Sequence, residues 1–433
     1  MKAKTPPQIS EEIGKVMYLT PHGMGRIQDD DGKEFDLPYC LPGETVRYEK
    51  VKRKRHTDYY FREVIKPSPN RNAPICPHFT RCGGCTLQHL NASEYAEFKK
   101  SIVTNHLQQY GLDVYVVQDP VILKAGQRRR TNMDIRKRKD TIFLGYHQLK
   151  SYSVTNIGPC PVLDPAIECL LDPLSACLDQ VLENYQSAKI FITNTDVGID
   201  ASLEIQEIKE LTPQQRQILS DFAQSHNLCR FMFRYRKTRD ILHVREQPYV
   251  VIDGIAVSVD PWSFLQSSKA ADDHLTQWVL SHVSPSSTGK IYDLFCGRGT
   301  FTFPLSRVRE TVGVELDQHA LQALDSANQA LGVDARPITL IQQNLFEEPL
   351  KASTFNPDDI VVIDPPRAGA QMQCEELARS RVGKIIYVSC NPETFARDCQ
   401  ILEKGGYTLT MVYVLDQFIY TPHLEVVGIL ERL

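Results

Sequence analysis

The chain has 433 residues, 42% of them hydrophobic and 24% charged, with a formal net charge of -4. Such a length exceeds what one core usually organises, so two or three domains are expected. No uninterrupted apolar run is long enough to span a bilayer, which argues against a helical membrane protein. The opening MKAKTPPQISEEIGK has no apolar stretch of a secretory kind, which points to a reducing cytoplasm where the 12 cysteines serve as thiols or metal ligands.

Charge distribution says more than the average. Basic residues concentrate in VKRKRH (Lys52, Arg53, Lys54, Arg55), QRRRTN (Arg128, Arg129, Arg130) and IRKRKD (Arg136, Lys137, Arg138, Lys139). One such run is usually a solvated face, but three in the first third of an otherwise acidic chain point to a phosphate-tracking surface.

Residues 11–66 alternate apolar and polar positions between Gly and Pro turns, which predicts a small five-stranded barrel with the first basic run on a connection. This stretch resembles a TRAM domain, an OB-like RNA-binding module. KPSPNRNAP (66–74) reads as a linker. Next, CPHFTRCGGC sets Cys76, Cys82 and Cys85 together, and GPCP offers Cys160 as a fourth ligand. Three clustered cysteines plus one distant is metal-ligand spacing, and it fits zinc and an iron-sulfur cluster equally. A helix is expected over 95–110. From 128 to 250 strand-like and helical segments alternate without a nameable motif.

From Lys290 onward buried strands alternate with helices: KIYDLF, ETVGVEL, ITLIQQ, DIVVID and KIIYVSC each end in a polar or Gly-containing loop, the pattern of a doubly wound parallel sheet. The tail runs TLTMVYVLD and HLEVVGILERL leave no room for a crossover helix and must pair antiparallel. Gly297 and Gly299 let a ligand approach the first strand-to-helix loop, and Glu315 ends the next strand, placed for ribose hydroxyls. A dinucleotide loop would carry a third glycine where Thr302 stands, so S-adenosyl-L-methionine is the better match. Asn344 is either an adenine contact or an amide that satisfies its own turn.

Asp364, in VVIDPPRAG, and Cys390, in VSCNPE, both fall at the carboxyl edge of the sheet. A pyrimidine ring carbon is too weakly nucleophilic to take a methyl group unaided. A thiolate adding to carbon 6 activates carbon 5, and a base must then remove the carbon 5 proton. Cys390 supplies the thiol, and Glu425, in TPHLEVV, can return over the same edge as the base.

DLFCGRGTF, VVIDPPRAG, VSCNPETFARD and the series Asp416, Phe418, Thr421, His423, Glu425 resemble the bacterial RNA uracil-5 methyltransferase family, and with the barrel and the cysteines its 23S ribosomal RNA branch. The resemblance implies Cys390 as nucleophile, Glu425 as base, and Asp364 near both target base and cofactor. It implies Phe264 against the base, and Gln266, Phe295, Thr300, Glu315 and Asn344 around the cofactor; Thr300 stands where several relatives have Asn. It also implies a 4Fe-4S cluster on Cys76, Cys82, Cys85 and Cys160. The expected architecture is an OB-like TRAM barrel (1–67), a central α+β iron-sulfur domain (68–260) and a Rossmann-like methyltransferase domain (261–433) with a mixed sheet and an antiparallel C-terminal pair. The partner implied is RNA, 23S ribosomal RNA around large-subunit assembly, with neither membrane nor DNA. Rival readings are a tRNA uracil-5 methyltransferase, a cytosine-5 enzyme, which would carry a second cysteine where DPPR stands, and a TRAM-bearing iron-sulfur protein that binds RNA without modifying it.

Overall fold

A computed structural model describes residues 8–285, 288–329 and 336–432. Strands β1 (Gln8–Leu19), β2 (Gly25–Gln28), β3 (Glu34–Leu37), β4 (Thr45–Lys52) and β5 (Thr57–Lys66) form an antiparallel half-barrel in the order β3-β2-β1-β4-β5. Alternate residues turn inward, so Val16, Ile27, Leu37, Val46 and Tyr48 are buried together. Phe35 of β3 stacks on Tyr59 of β5 with ring centroids 3.7 Å apart, drawing the two edge strands toward each other.

The stretch expected to be a linker instead clamps the barrel. Arg71 donates to both carboxylate oxygens of Glu44, at 2.6 and 2.8 Å, and to the Tyr39 carbonyl. Glu44 is fully buried; burial works to raise its pKa, but Arg71 and the Ser68 and Leu41 amides hold it below the ordinary carboxylate value.

Helix α1 (Ala92–Gln109) starts at Asn91, whose side chain accepts from the Glu94 amide. Its apolar positions recur at helical spacing, and Tyr95, Phe98, Ile102, Val103 and Leu107 are buried. Burying each contributes about 1.5–3 kcal/mol. The short strand β6 (Val121–Ile122) follows.

A mostly antiparallel seven-stranded sheet comes next. It contains β7 (Arg130–Arg138), β8 (Thr141–His147), β9 (Val154–Asn156), β10 (Ser187–Thr195), β11 (Gly198–Ile205), β12 (Arg230–Tyr235) and β13 (Thr238–Val244), in the order β13-β12-β11-β10-β7-β8-β9. Interspersed helices α2 (Pro165–Glu168), α3 (Leu171–Val181) and α4 (Pro213–Ser225) contribute Ile167, Leu174, Leu178, Leu219 and Phe222 to its core. A hairpin, β14 (Tyr249–Ile252) and β15 (Ile255–Ser258), leads onward.

The remaining elements are α5 (Lys269–Ser281), β16 (Ile291–Leu294), α6 (Thr302–Ser306), β17 (Thr311–Glu315), α7 (Gln318–Asn328), β18 (Ile338–Gln342), β19 (Ile360–Ile363), α8 (Gln371–Arg379), β20 (Lys384–Ser389), α9 (Pro392–Lys404), β21 (Tyr407–Asp416) and β22 (Glu425–Arg432). They build an eight-stranded sheet ordered β18-β17-β16-β19-β20-β22-β21-β6, parallel from β18 to β20. The five strands and the antiparallel tail are as the sequence pattern predicts, except that β18, at the edge of the sheet, has no fully buried residue. The insertion of β22 between β20 and β21, and the capping of β21 by β6, were not foreseen. Along β19 burial alternates between faces: Val361 and Ile363 pack with Phe98 and Phe395, while Ile360 and Val362 pack with Leu275 and Leu305. Among the described residues no helix is long and apolar enough to cross a membrane.

Candidate active site

Parallel strands all deliver their carboxyl ends to one edge, and the strand order reverses between β16 and β19, so a crevice opens there. Phe295, Glu315, Asn344, Asp364 and Cys390 follow or end β16, β17, β18, β19 and β20, which brings them to that edge. Phe295 has a positive φ of 64°, unusual for an aromatic residue, and its ring lies 5.4 Å from that of Phe346. Gly297 has φ 55°, and a Cβ there would meet nothing within 4 Å, so the loop faces open space. Its amide donates to Glu315 Oε2 at 3.1 Å, while Glu315 Oε1 accepts from the amides of Leu316 and Asp317. A carboxylate offers about four lone-pair sites, so one remains for a ligand hydroxyl. Asn344 Oδ1 accepts from the Phe346 amide, which satisfies its own turn and leaves its NH2 group for another partner. Thr300 lies on the wall of a separate cavity, with Lys269, Asp272 and Pro304.

The register of the last strands sets the chemistry. Ser389 of β20 pairs with Val426 of β22 in antiparallel fashion, so the next step along puts Cys390 across from Glu425. Asp364 follows Ile363, which pairs with Tyr387 on the other side of β20. Glu425 is buried; burial and the charge of Asp364 push its carboxyl well above the usual value. Burial, then the neighbouring Asp293 and Asp272, push Asp364 up to about 7. Burial, then the Glu425 and Asp364 carboxylates, push the Cys390 thiol up to about 11, against the opposing charge of Arg367.

Gln417 joins these groups. Its Nε2 donates to Glu425 Oε1 at 2.8 Å and to Gln266 Oε1 at 2.7 Å, and its Oε1 accepts from the Ser267 amide and hydroxyl. Phe264, three residues before Ser267, is 73% exposed at the rim, with the Arg130 guanidinium 6.0 Å from its ring centroid. The loop bearing Phe264 and Gln266 is held from behind. Arg129 Nε donates to the Gln266 carbonyl, its NH2 group pairs with Asp272 at 2.5 Å, and Arg130 donates to the Leu265 carbonyl. The second basic run is thus corrected: Arg129 and Arg130 turn inward as structural donors rather than outward to phosphates. Gln417 and Lys99 carry no local pattern that marks them in the sequence, and the motifs that contain Arg367 and Asp416 gave neither residue a role. Lys99 Nζ donates to Asp416 Oδ1 at 2.8 Å and Tyr95 OH to Asp416 Oδ2 at 2.6 Å, anchoring the start of the turn that ends at Glu425.

Cys76, Cys82, Cys85 and Cys160 line one cavity of about 360 Å³, walled also by Phe418 and Thr421. Burial and the neighbouring cysteines push the Cys85 and Cys82 thiols up to about 12 and about 11. Among the described residues no three His, Cys, Asp or Glu side chains converge as a single-ion site. None of the twelve cysteines is in a disulfide.

The family model for tRNA (uracil-5-)-methyltransferase matches residues 95–433. An uncharacterized RNA methyltransferase of Agrobacterium fabrum is 37% identical over 98% of this chain and 100% of its own length. A protein of Pectobacterium atrosepticum named 23S rRNA (uracil(1939)-C(5))-methyltransferase is 31% identical over 95% of this chain and 91% of its own. The fold is that of the Pyrococcus abyssi tRNA (uracil-54, C5)-methyltransferase, solved with S-adenosyl-L-homocysteine: TM-score 0.70 and 22% identity over 97% of this chain and 100% of that one. A carboxyl-edge crevice with a thiol and a buried carboxyl side by side, on a chain that this family model matches from α1 to its end, fits one chemistry: the chain belongs to the tRNA (uracil-5-)-methyltransferase family and is an S-adenosyl-L-methionine-dependent RNA (uracil-5) methyltransferase.

Proposed function

We propose that the chain methylates carbon 5 of one uridine in 23S ribosomal RNA, around large-subunit assembly in the cytoplasm, with Cys390 as nucleophile and Glu425 as base. The observation that carries the catalytic reading is the β20–β22 register, which sets a thiol and a buried carboxyl across from each other. The ribosomal target is supported by the Pectobacterium relative, which this chain matches over 95% of its length. A tRNA target is the second reading, favoured by the similarity of fold to the Pyrococcus enzyme.

S-adenosyl-L-methionine supplies the electrophilic methyl. Gln266, Phe295, Glu315 and Asn344 hold it beside Asp364, with Thr300 further along the same loop. Phe264 offers an exposed ring on which an unstacked uracil rests. The Cys390 thiolate adds to carbon 6, carbon 5 takes the methyl as the sulfonium S–CH3 bond breaks and leaves a thioether, Glu425 removes the carbon 5 proton, and the thiolate is expelled as the ring double bond re-forms. Asp364, its carboxyl pushed up to about 7, lies in this reading near both base and cofactor.

Residues 1–67 act in this reading as the RNA-gripping TRAM barrel, 261–433 as the catalytic domain and 68–260 as the central domain, except that α1 and β6 of that span pack into the catalytic sheet. Cys76, Cys82, Cys85 and Cys160 hold a 4Fe-4S cluster. Four thiols lining one cavity of about 360 Å³ supply the four cysteine ligands such a cluster takes. Its contribution there is to fix the loops that wall it.

The test is methylation of purified ribosomal RNA and tRNA with labelled cofactor, followed by mapping of the modified nucleotide. Cys390→Ala abolishes turnover and keeps cofactor affinity, and Glu425→Gln accumulates a methylated covalent RNA adduct. Methylation by Cys390→Ala, or exclusive labelling of tRNA, overturns the corresponding half of the proposal.

A further inference from the structure

We infer that Gln417 is a positioning residue that fixes both the Glu425 carboxylate and the Gln266 carboxamide through a single amide group. The inference rests on Glu425 being the base and adds how that base is aimed and tuned.

A carboxamide has a donor end and an acceptor end, and its surroundings decide which way it lies. At Gln417 the choice is forced. Its Oε1 receives two donors, the Ser267 amide at 3.0 Å and the Ser267 hydroxyl at 2.7 Å. The hydroxyl also reaches the Gln417 carbonyl at 3.1 Å. A flip would set an NH2 group against the Ser267 N–H, which can only donate, and cost that bond. Nε2 must therefore face Gln266 Oε1 at 2.7 Å and Glu425 Oε1 at 2.8 Å, which uses both of its hydrogens. Gln417 is itself buried, so water does not substitute for it.

Two consequences follow. Gln266 is turned so that its oxygen points to Gln417 and its NH2 group is the end left for a ligand. Glu425 gains its one hydrogen-bond donor among the described residues, in a setting otherwise hostile to negative charge: it is buried and faces Asp364 and Cys390, with Arg367 the nearest cation. A donor to a carboxylate favours the ionised form, the form a base must have. Gln417 thus works against the burial and the Asp364 charge that raise the Glu425 carboxyl.

The test follows decay of the pre-formed RNA adduct against pH, read as release of tritium from carbon 5 of labelled uridine, with RNA and cofactor saturating. Gln417→Met removes the donor at similar volume. Gln417→Leu removes the donor and the acceptor together. Both variants should retain the parent melting temperature within a few degrees and the parent KM for RNA. Their adduct-decay profiles should move to higher pH by about one unit, with decay about tenfold slower at pH 7, as expected for loss of one hydrogen bond to a charged group. A merely structural glutamine predicts a lower melting temperature or weaker RNA binding with no such shift in the decay profile. Profiles that superimpose on the parent, while Glu425→Gln still traps adduct, overturn the role of Gln417 and leave the base assignment standing. Parent-like adduct decay in Glu425→Gln overturns the base assignment itself, and this inference with it.

Discussion

The Lys99 ammonium lies 2.8 Å from the Asp416 carboxylate, and both side chains have no solvent exposure. One comes from α1 and the other from the end of β21, so the pair ties helix to sheet immediately before the turn that leads to Glu425. Burial pushes Lys99 down and Asp416 up despite their mutual attraction. Removing one partner strands the other charge. Lys99→Met should cost about 3–5 kcal/mol in urea unfolding, and Lys99→Met/Asp416→Asn should regain a large part of it. An unaltered midpoint for the single variant would show that the pair contributes nothing net.

Asp364 links pH to stability in the opposite sense from an ordinary ion-paired carboxylate. Its folded pKa of about 7 lies above the unfolded value of about 3.9, so the folded protein binds the extra proton between those values. Stability is therefore lost as pH rises from about 4 to about 7, and the full penalty persists above. Asp364→Asn should stabilise the free protein at pH 8 by roughly 2–4 kcal/mol, have little effect at pH 4, and abolish most activity. Equal melting temperatures at both pH values would count against the shift.

Protein purified without oxygen should absorb broadly in the visible range, and Cys82→Ser should bleach it. A colourless protein with stoichiometric zinc would replace the cluster by a different metal.

Lys52, Lys54 and Arg55 are exposed at the turn between β4 and β5, and Arg53 beside them pairs with Asp58. Replacing all four with Ala should weaken RNA binding and lower its salt slope by about one unit for each phosphate no longer neutralised. Turnover at saturating RNA should approach that of the parent. An unchanged slope would make the run a solvated face.

Much of the catalytic sheet was legible because its strands are short buried runs that end in chemically distinctive loops. Cys390 and Glu425 could be named for the same reason, since addition to a pyrimidine ring demands a thiol and a carboxylate. Lys99 and Asp416 are 317 positions apart, and Ser267 and Gln417 150, so no local periodicity announces either pairing. Arg129 and Arg130 misled for a related reason: a run of arginines reads the same whether it faces water or backbone carbonyls. Only the Leu265 and Gln266 carbonyls opposite them decide the matter.

The β21–β6 pairing and the seat of α1 carry a consequence for dissection of the chain. A fragment cut at residue 261 would keep every group assigned to catalysis, yet it would leave the outer edge of β21 unpaired and uncover Val412 and Leu409, against which α1 packs. An open edge beside an apolar face invites pairing between copies. Limited proteolysis that releases such a piece should yield aggregate, and a soluble catalytic fragment must begin upstream of Asn91.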